Sequence, residues 1–498
     1  MDLPTHAFID PTGRNTEDVK ALLQSAVTLL IEEMSNAQSR SPLPNPIDSQ
    51  ILQQWAQIPQ QSVPLEQILD RVRSQVRHSM NAAHPGYMGH MDSIPTTLSV
   101  IGDLLAAALN NNMLSVEMSP VFSRLEPLVM QQIAARFGLG EQAGGVLVGG
   151  GSLANLQALT VARNVAFDAL TKGIARLDNQ PVFFVSEVAH TSMQKAAMVM
   201  GLGANAAIPV QTNANSQMDV GDLRLKIAQA QRNGQLPFAV IATAGTTVTG
   251  NVDPIENIAD IAAPHKLWLH VDAAYGGAVI FSEKHRYLLS GIHRANSVTF
   301  NPQKWLYVAK TCATVMFKDI DVLKRHFRIL APYMGDDSEW ANLGELTVQG
   351  TRHPDILKLW LSLQHIGTQG YSEIIDHNYA LTEQFVAEVK ARSHYIQLAS
   401  QPQMNLVCFR IAPANTNEAS LDTLNAQLQQ HLLAPAEDPS QAIFLSLPTY
   451  RRQKWLKAVL LNPFTTHSTI QQLFQRIDSF AAHALTHPQD LSPSAASS

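Results

Sequence analysis

The sequence predicts an α/β fold, a mainly parallel β-sheet with helices covering both faces. Two observations carry this. Short, unbroken apolar runs recur through residues 81–365, at Val146–Val148, Val182–Val185, Phe238–Thr243, Leu267–Val271, Val298–Phe300 and Ala313–Phe317. Helical stretches, notably Leu153–Leu170 and Val188–Met200, separate most of them. A strand with one wet face alternates apolar and polar residues. These runs do not alternate, so both faces must be covered, as in sheets built from parallel strands with crossover helices.

The flanking segments read differently. Thr16–Asn36 places Val19, Leu22, Leu23, Ala26, Val27 and Leu30 at helical spacing, with Thr16 positioned to cap the start. Prolines at 42, 44 and 46 follow, and a second helical stretch precedes His84. Residues 1–80 therefore form a helical segment too small for a core of its own, expected to pack elsewhere, for instance on a partner subunit. Residues 81–365 form the large domain. Beyond 366, a helix near Ile374–Arg392, strands at Leu406–Ile411 and Val459–Leu461 and a helix near Ser468–Leu485 predict a smaller α+β domain over 366–490. The Ser/Ala-rich tail 491–498 is expected to be disordered.

Composition narrows the function. The 498 residues are 45% apolar and 15% charged, with a net charge of −6. No basic footprint suggests nucleic acid or an anionic membrane, and no apolar run reaches bilayer length. Two cysteines, Cys312 and Cys408, cannot build a disulfide framework. Met1–Asn15 lacks the pattern of a signal peptide, and a cytoplasmic enzyme is expected. There is no phosphate-binding GxxxxGK[ST] loop, no HExxH, and no cysteine-rich zinc pattern, so no metal site is expected.

The segments that could carry chemistry follow predicted strands. Gly149-Gly150-Gly151-Ser152 lies between a strand and a helix, where backbone N–H groups and a helix N-terminus favour an anion. Taken alone, it reads equally well as a tight turn with an N-cap serine. Asp272, in His270-Val271-Asp272-Ala273-Ala274-Tyr275-Gly276-Gly277, ends an apolar strand at the edge where α/β sheets bind ligands. A carboxylate there can hold a protonated ring nitrogen, and Ala274 leaves room for a flat ring. Lys304, in Asn301-Pro302-Gln303-Lys304-Trp305, has apolar neighbours rather than those of a surface lysine, and lysine forms imines with aldehydes. His190 follows another strand and could stack on an aromatic group, although a lone histidine is more often structural. Ala244-Gly245-Thr246-Thr247 closes a further strand with two hydroxyls.

In this order the segments HVDAAYGG, AGTT and NPxKW resemble the group II pyridoxal-phosphate (PLP) amino-acid decarboxylases, from about His84 to Trp360, with a weaker echo at Trp455–Thr466. The resemblance implies PLP fold type I (aspartate aminotransferase-like) with a seven-stranded sheet, a homodimer, and decarboxylation of an L-amino acid to an amine. It implies that Lys304 carries the cofactor as a Schiff base and Asp272 partners the pyridine nitrogen. Ala274 would lie beside the ring, His190 on one face and Thr247 beneath it. Gly151, Ser152 and Asn301 would hold the phosphate, and Thr351 would reach it from the neighbouring subunit. Tyr333 matches the mobile-loop tyrosine that protonates the carbanion. Gln303 stands where the family usually has histidine; it can hydrogen-bond a phosphate or carboxylate but cannot titrate. Asn296 stands where aspartate is common. His90 occupies a substrate-side position.

Two other outcomes compete with simple decarboxylation. One is a different PLP reaction, either transamination or oxidative decarboxylation to an aldehyde, against which Tyr333 argues. The other is a silent structural dimer, against which the joint presence of Lys304, Asp272 and His190 argues. The substrate stays open at this level, because His90 favours an acidic side chain and Asp92 a cationic one.

Overall fold

The computed structural model describes residues 4–330, 339–434 and 438–486. The apolar runs become strands β1 (Gly144–Val148), β2 (Pro181–Ser186), β4 (Leu236–Thr243), β5 (Trp268–Asp272), β6 (Ser297–Phe300) and β7 (Ala313–Phe317), with β3 at Ala207–Val210. They form one seven-stranded sheet in the order β1-β7-β6-β5-β4-β2-β3. Every pairing is parallel except those of β7, which runs antiparallel to both β1 and β6. Every residue of β1, β2, β6 and β7 is buried, the reason none of them alternates. Strand β3 gives no apolar run because Pro209 interrupts it. Its place at the sheet edge tolerates a residue without an N–H.

Several elements depart from expectation. The helix expected at Val188–Met200 begins only at Ser192, and the turn before it carries His190. The Leu153–Leu170 stretch is a helix Gly151–Phe167 and a short one, Ala169–Lys172, parted by Asp168 in the left-handed region (φ 51°). Ile374–Arg392 is the second half of a helix Ile356–Ala391 interrupted at Gly367. The late strand is Leu456–Val459 rather than Val459–Leu461, because it pairs antiparallel with Leu406–Ile411 and takes Lys457 into the ladder opposite Cys408. Thr16 does not cap its helix. Asn15 holds the N-cap position without a side-chain cap, and the Thr16 hydroxyl donates to the Gly13 carbonyl at 2.8 Å.

The chain divides into two compact units. One comprises Met1–Gly89, Thr416–Leu447 and Asn462–Ser498; the other comprises His90–Asn415 and Pro448–Leu461. These limits differ from boundaries at 80, 365 and 490. Residues 366–415 go with the large sheet because the helix Ile356–Ala391 packs along the helix Thr97–Leu109. The fit is close: a Cβ on Gly102 would meet the Lys358 Cα at 2.7 Å. In the first unit, the helix Thr16–Ser35 leaves Leu23, Val27, Leu30 and Ile31 exposed. The tail 491–498 lies outside the described residues. No helix among the described residues is long and apolar enough to cross a membrane.

One buried ion pair fixes the start of the sheet. Glu126, on the helix Phe122–Arg136, accepts at Oε1 from the Leu147 N–H (2.9 Å) and from Arg352 Nη2 (2.6 Å). Arg352 Nη2 also donates to the Leu147 carbonyl at 2.8 Å. Burial pushes the Glu126 carboxyl up, and Arg352 opposes it. Removing one partner from such a pair strands a buried charge, which costs about 3–5 kcal/mol. Arg352→Met is therefore expected to lower the urea unfolding free energy by about that much. Adding Glu126→Gln should restore most of it. A loss below about 1 kcal/mol in the single variant would refute the role.

Candidate active site

The two antiparallel steps through β7 cancel, so β1 runs in the same direction as β6, β5, β4 and β2. Their carboxyl ends share one edge, the edge at which open α/β sheets bind ligands. The turn Gly149–Ser152 follows β1, His190 follows β2, Thr247 follows β4, Asp272 ends β5, and Asn301–Lys304 follows β6. The topology thus gathers residues as far apart in the chain as Gly149 and Lys304.

Asp272 is buried, with its carboxylate held from two sides. Oδ1 accepts from the Ala274 N–H (3.1 Å) and Oδ2 from Asn155 Nδ2 (3.0 Å), one turn into the helix that starts at Gly151. Ala274 is buried beside it. Lys304 sits on a turn closed by its N–H to the Asn301 carbonyl (3.0 Å), between the buried Phe300, Trp305 and Leu306. Burial lowers its amine below the ordinary lysine range, against the pull of Asp272 and Asp92. A lysine so placed yields free amine, the nucleophile for a carbonyl, more readily than a surface lysine. His190 accepts at Nδ1 from the Ser192 N–H (3.2 Å). Desolvation holds its ring below the usual imidazole range, with Asp272 pulling the other way.

The glycine turn fits an anion. A Cβ on Gly151 would lie 2.7 Å from Asn301 Nδ2, so only glycine admits this approach. Asn301 is buried, and its Oδ1 has no partner among the described residues. The Asn301 NH₂ faces Gly151 at the open N-terminus of a helix, and a donor so placed suits a phosphate group. Ser152 is exposed and makes no cap hydrogen bond; Gly150 holds the N-cap position. Gln349 Oε1 accepts from the Gly149 N–H at 3.2 Å, tying the segment that carries Thr351 to this turn. Thr351 and Thr247 are both exposed.

Gln303 is braced rather than free. Its Oε1 accepts from the Cys312 N–H (2.5 Å) and its own N–H donates to the Cys312 carbonyl (3.2 Å), leaving Nε2 to meet a ligand. Asn296 is structural: its Oδ1 accepts from the Leu269 N–H at 2.8 Å, and its N–H donates to the Leu269 carbonyl at the same distance. Tyr333 lies outside the described residues.

A second lysine escaped the sequence reading. Lys457, on the strand Leu456–Val459, is buried and donates to the Thr247 carbonyl at 3.3 Å. Burial lowers its amine, Cys408 and Asp92 oppose this, and Lys304 adds to it. Burial and then Lys457 lower the His90 imidazole below its usual range, while Asp92 pulls the other way. His90, Asp92, Lys304 and Lys457 therefore share one electrostatic neighbourhood. Asp92 is already ion-paired with Lys310 at 2.5 Å, and one residue on, Ser93 Oγ is buried without a partner among the described residues.

A PLP fold type I sheet with a lysine, an aspartate and an anion turn at one edge defines a class of cofactor-dependent enzyme, and comparison identifies the family. The chain belongs to the pyridoxal-dependent decarboxylases: the family model described as "Pyridoxal-dependent decarboxylase conserved domain" matches residues 48–412. It is 32% identical over 426 residues to the acidic amino acid decarboxylase GADL1 of Bos taurus, covering 83% of this chain and 81% of that one. Among solved structures, mouse CSAD in apo form is similar with a TM-score of 0.85 at 29% identity, covering 93% of this chain and 99% of that one. Oryza sativa TDC with PLP and tryptamine shares the fold with a TM-score of 0.88 at 24% identity, covering 96% and 99%. The chain is a pyridoxal-phosphate-dependent carboxy-lyase.

Proposed function

We propose that this enzyme decarboxylates an acidic L-amino acid to its amine and CO₂, with Lys304 holding the cofactor. The observation that carries the substrate class is the charge balance beside Lys304. Asp92, the one group that favoured a cationic substrate, is already paired with Lys310, whereas Lys457 is a buried lysine that forms no ion pair among the described residues and donates to a backbone carbonyl. The acidic-amino-acid decarboxylase of Bos taurus among its relatives supports the same class.

When bound, pyridoxal phosphate supplies the electron sink for the pair left by departing CO₂. Asp272 would hold a proton on the ring nitrogen, and Ala274 would clear space beside the ring. His190 would offer a flat face and Thr247 a hydroxyl on the other side. Gly151, Ser152, Asn301 and Gln303 Nε2 would hold the phosphate, with Thr351 of a partner copy completing it. Tyr333 would deliver a proton to Cα, giving amine rather than aldehyde. Lys457 suits the distal acid of the substrate. A cation bound to the departing carboxylate would stabilise the ground state and slow its loss, while one on the far end spends binding energy on alignment. The exposed apolar side chains of the helix Thr16–Ser35 support a homodimer, and the buried free thiols of Cys312 and Cys408 support a cytoplasmic setting.

Measuring CO₂ release from aspartate, glutamate, 2,4-diaminobutyrate, ornithine, tyrosine and tryptophan tests this reading. An acidic substrate should show kcat/KM at least about tenfold above the rest, a margin of about 1.4 kcal/mol. Lys457→Met should raise its KM about tenfold or more while leaving the cofactor bound. Faster turnover of 2,4-diaminobutyrate or ornithine would overturn the assignment.

A further inference from the structure

Behind Asp272 lies a run of side-chain hydrogen bonds whose donors and acceptors are fixed from the carboxylate end. Trp268 Nε1 can only donate, and it does so to Ser297 Oγ at 2.8 Å. Ser297 Oγ lies 2.9 Å from His270 Nδ1. His270 Nε2 lies 3.0 Å from Asn155 Oδ1, with Thr299 Oγ1 at 3.4 Å. Asn155 Nδ2 donates to Asp272 Oδ2 and to Ser192 Oγ, both at 3.0 Å. These groups come from β5, β6 and the helices Gly151–Phe167 and Ser192–Val199. His270, Asn155 and Ser297 are all buried.

The directions follow from charge. A carboxylate oxygen needs a donor, so the Asn155 amide must turn its NH₂ toward Asp272 and its carbonyl toward His270. That carbonyl needs a donor, so the His270 proton must sit on Nε2. Nδ1 is then bare and accepts from the Ser297 hydroxyl, which in turn accepts from Trp268. The indole end is consistent with this assignment: Ser297 Oγ accepts from Trp268 and keeps its own proton for Nδ1. Burial also depresses the imidazole to about 4, so the ring is neutral at physiological pH. A neutral buried ring is what a single-proton link requires.

We propose that His270 is a positioning residue for the decarboxylation: as the Nε2–H tautomer it locks the Asn155 amide so that an N–H, not a C=O, faces Asp272. Without this lock the amide could reverse and set a carbonyl against the carboxylate. Asp272 would then keep the Ala274 N–H but lose the donor at Oδ2 that sets its direction toward the ring nitrogen. The inference rests on the role proposed for Asp272. A donor, not an imidazole as such, is what position 270 must supply.

Two substitutions separate this from simple packing. His270→Gln keeps a donor for Asn155 Oδ1, whereas His270→Leu fills the space without one. Nitrogen-15 NMR of histidine-labelled protein should show one buried ring as the Nε2–H tautomer, unchanged from pH 8 down to 5.5 and missing from both variants. In the holoenzyme, His270→Leu should shorten the half-time of cofactor loss about tenfold and lower kcat about tenfold with KM within twofold. His270→Gln should recover both to within threefold. An Nδ1–H tautomer, a ring titrating near 6.5, or equal behaviour of the Leu and Gln variants would overturn the proposal. Asp272→Asn belongs in the same series. If it alone shortens cofactor retention, the His270 inference fails and the Asp272 reading stands; if it does not, the Asp272 reading itself fails.

Discussion

Replacing Lys304 with alanine is expected to abolish turnover, by at least about 1,000-fold or about 4 kcal/mol of barrier, while leaving the fold intact. The turn after β6 presents this amine at the sheet edge among buried Phe300, Trp305 and Leu306. Burial lowers its proton affinity, so a free lone pair is reached more readily than on a surface lysine. Its removal takes away a half-buried cation that forms no ion pair among the described residues, so the melting temperature should not fall. Borohydride treatment of the wild type followed by peptide mass analysis should find the pyridoxyl mass on Lys304 and nowhere else. An adduct on Lys310 or Lys457 would move the attachment point and sink the assignment.

Asp272→Asn should be nearly as damaging for a different reason. Lys304 remains to take up the cofactor, although it should be lost sooner than from the wild type, and a neutral amide cannot hold a proton on the ring nitrogen, so the electron sink should weaken. A fall in kcat of at least about 1,000-fold, with KM moving less than threefold, is expected, again about 4 kcal/mol. The variant places an amide opposite the Asn155 N–H, so part of the hydrogen bonding survives, and the unfolding midpoint should change little. A mutant retaining a tenth of the wild-type kcat would refute the charge-holding role.

What the sequence made legible was local. Apolar runs ending in Asp272, in Thr243 or before Lys304 mark strand ends, and parallel strands put those ends together. Strand β3 was illegible because Pro209 breaks its pattern at an edge that tolerates it. Lys457 was illegible because a lysine in a late apolar run reads as a solvated edge residue; its burial depends on pairing with Leu406–Ile411. Asn155 and His270 lie far apart in the chain, and each reads as an ordinary buried polar residue until the helix after β1 is laid against β5. Glu126 and Arg352 are hidden in the same way. The site's outline follows from short-range pattern, whereas its supporting contacts need the sheet order.

That order also dictates when the pocket can exist during synthesis. In the sheet β1 touches only β7, and Val148 pairs with Ala313. The glycine turn is therefore made early on the ribosome, yet its strand has no hydrogen-bonded neighbour until Phe317 has emerged. Pairings this distant in sequence form slowly and leave an unpaired edge exposed meanwhile. The nascent chain must carry β1 as an orphan through the making of five other strands, so the sheet edge on which the glycine turn sits is completed only at the end of the large sheet's synthesis.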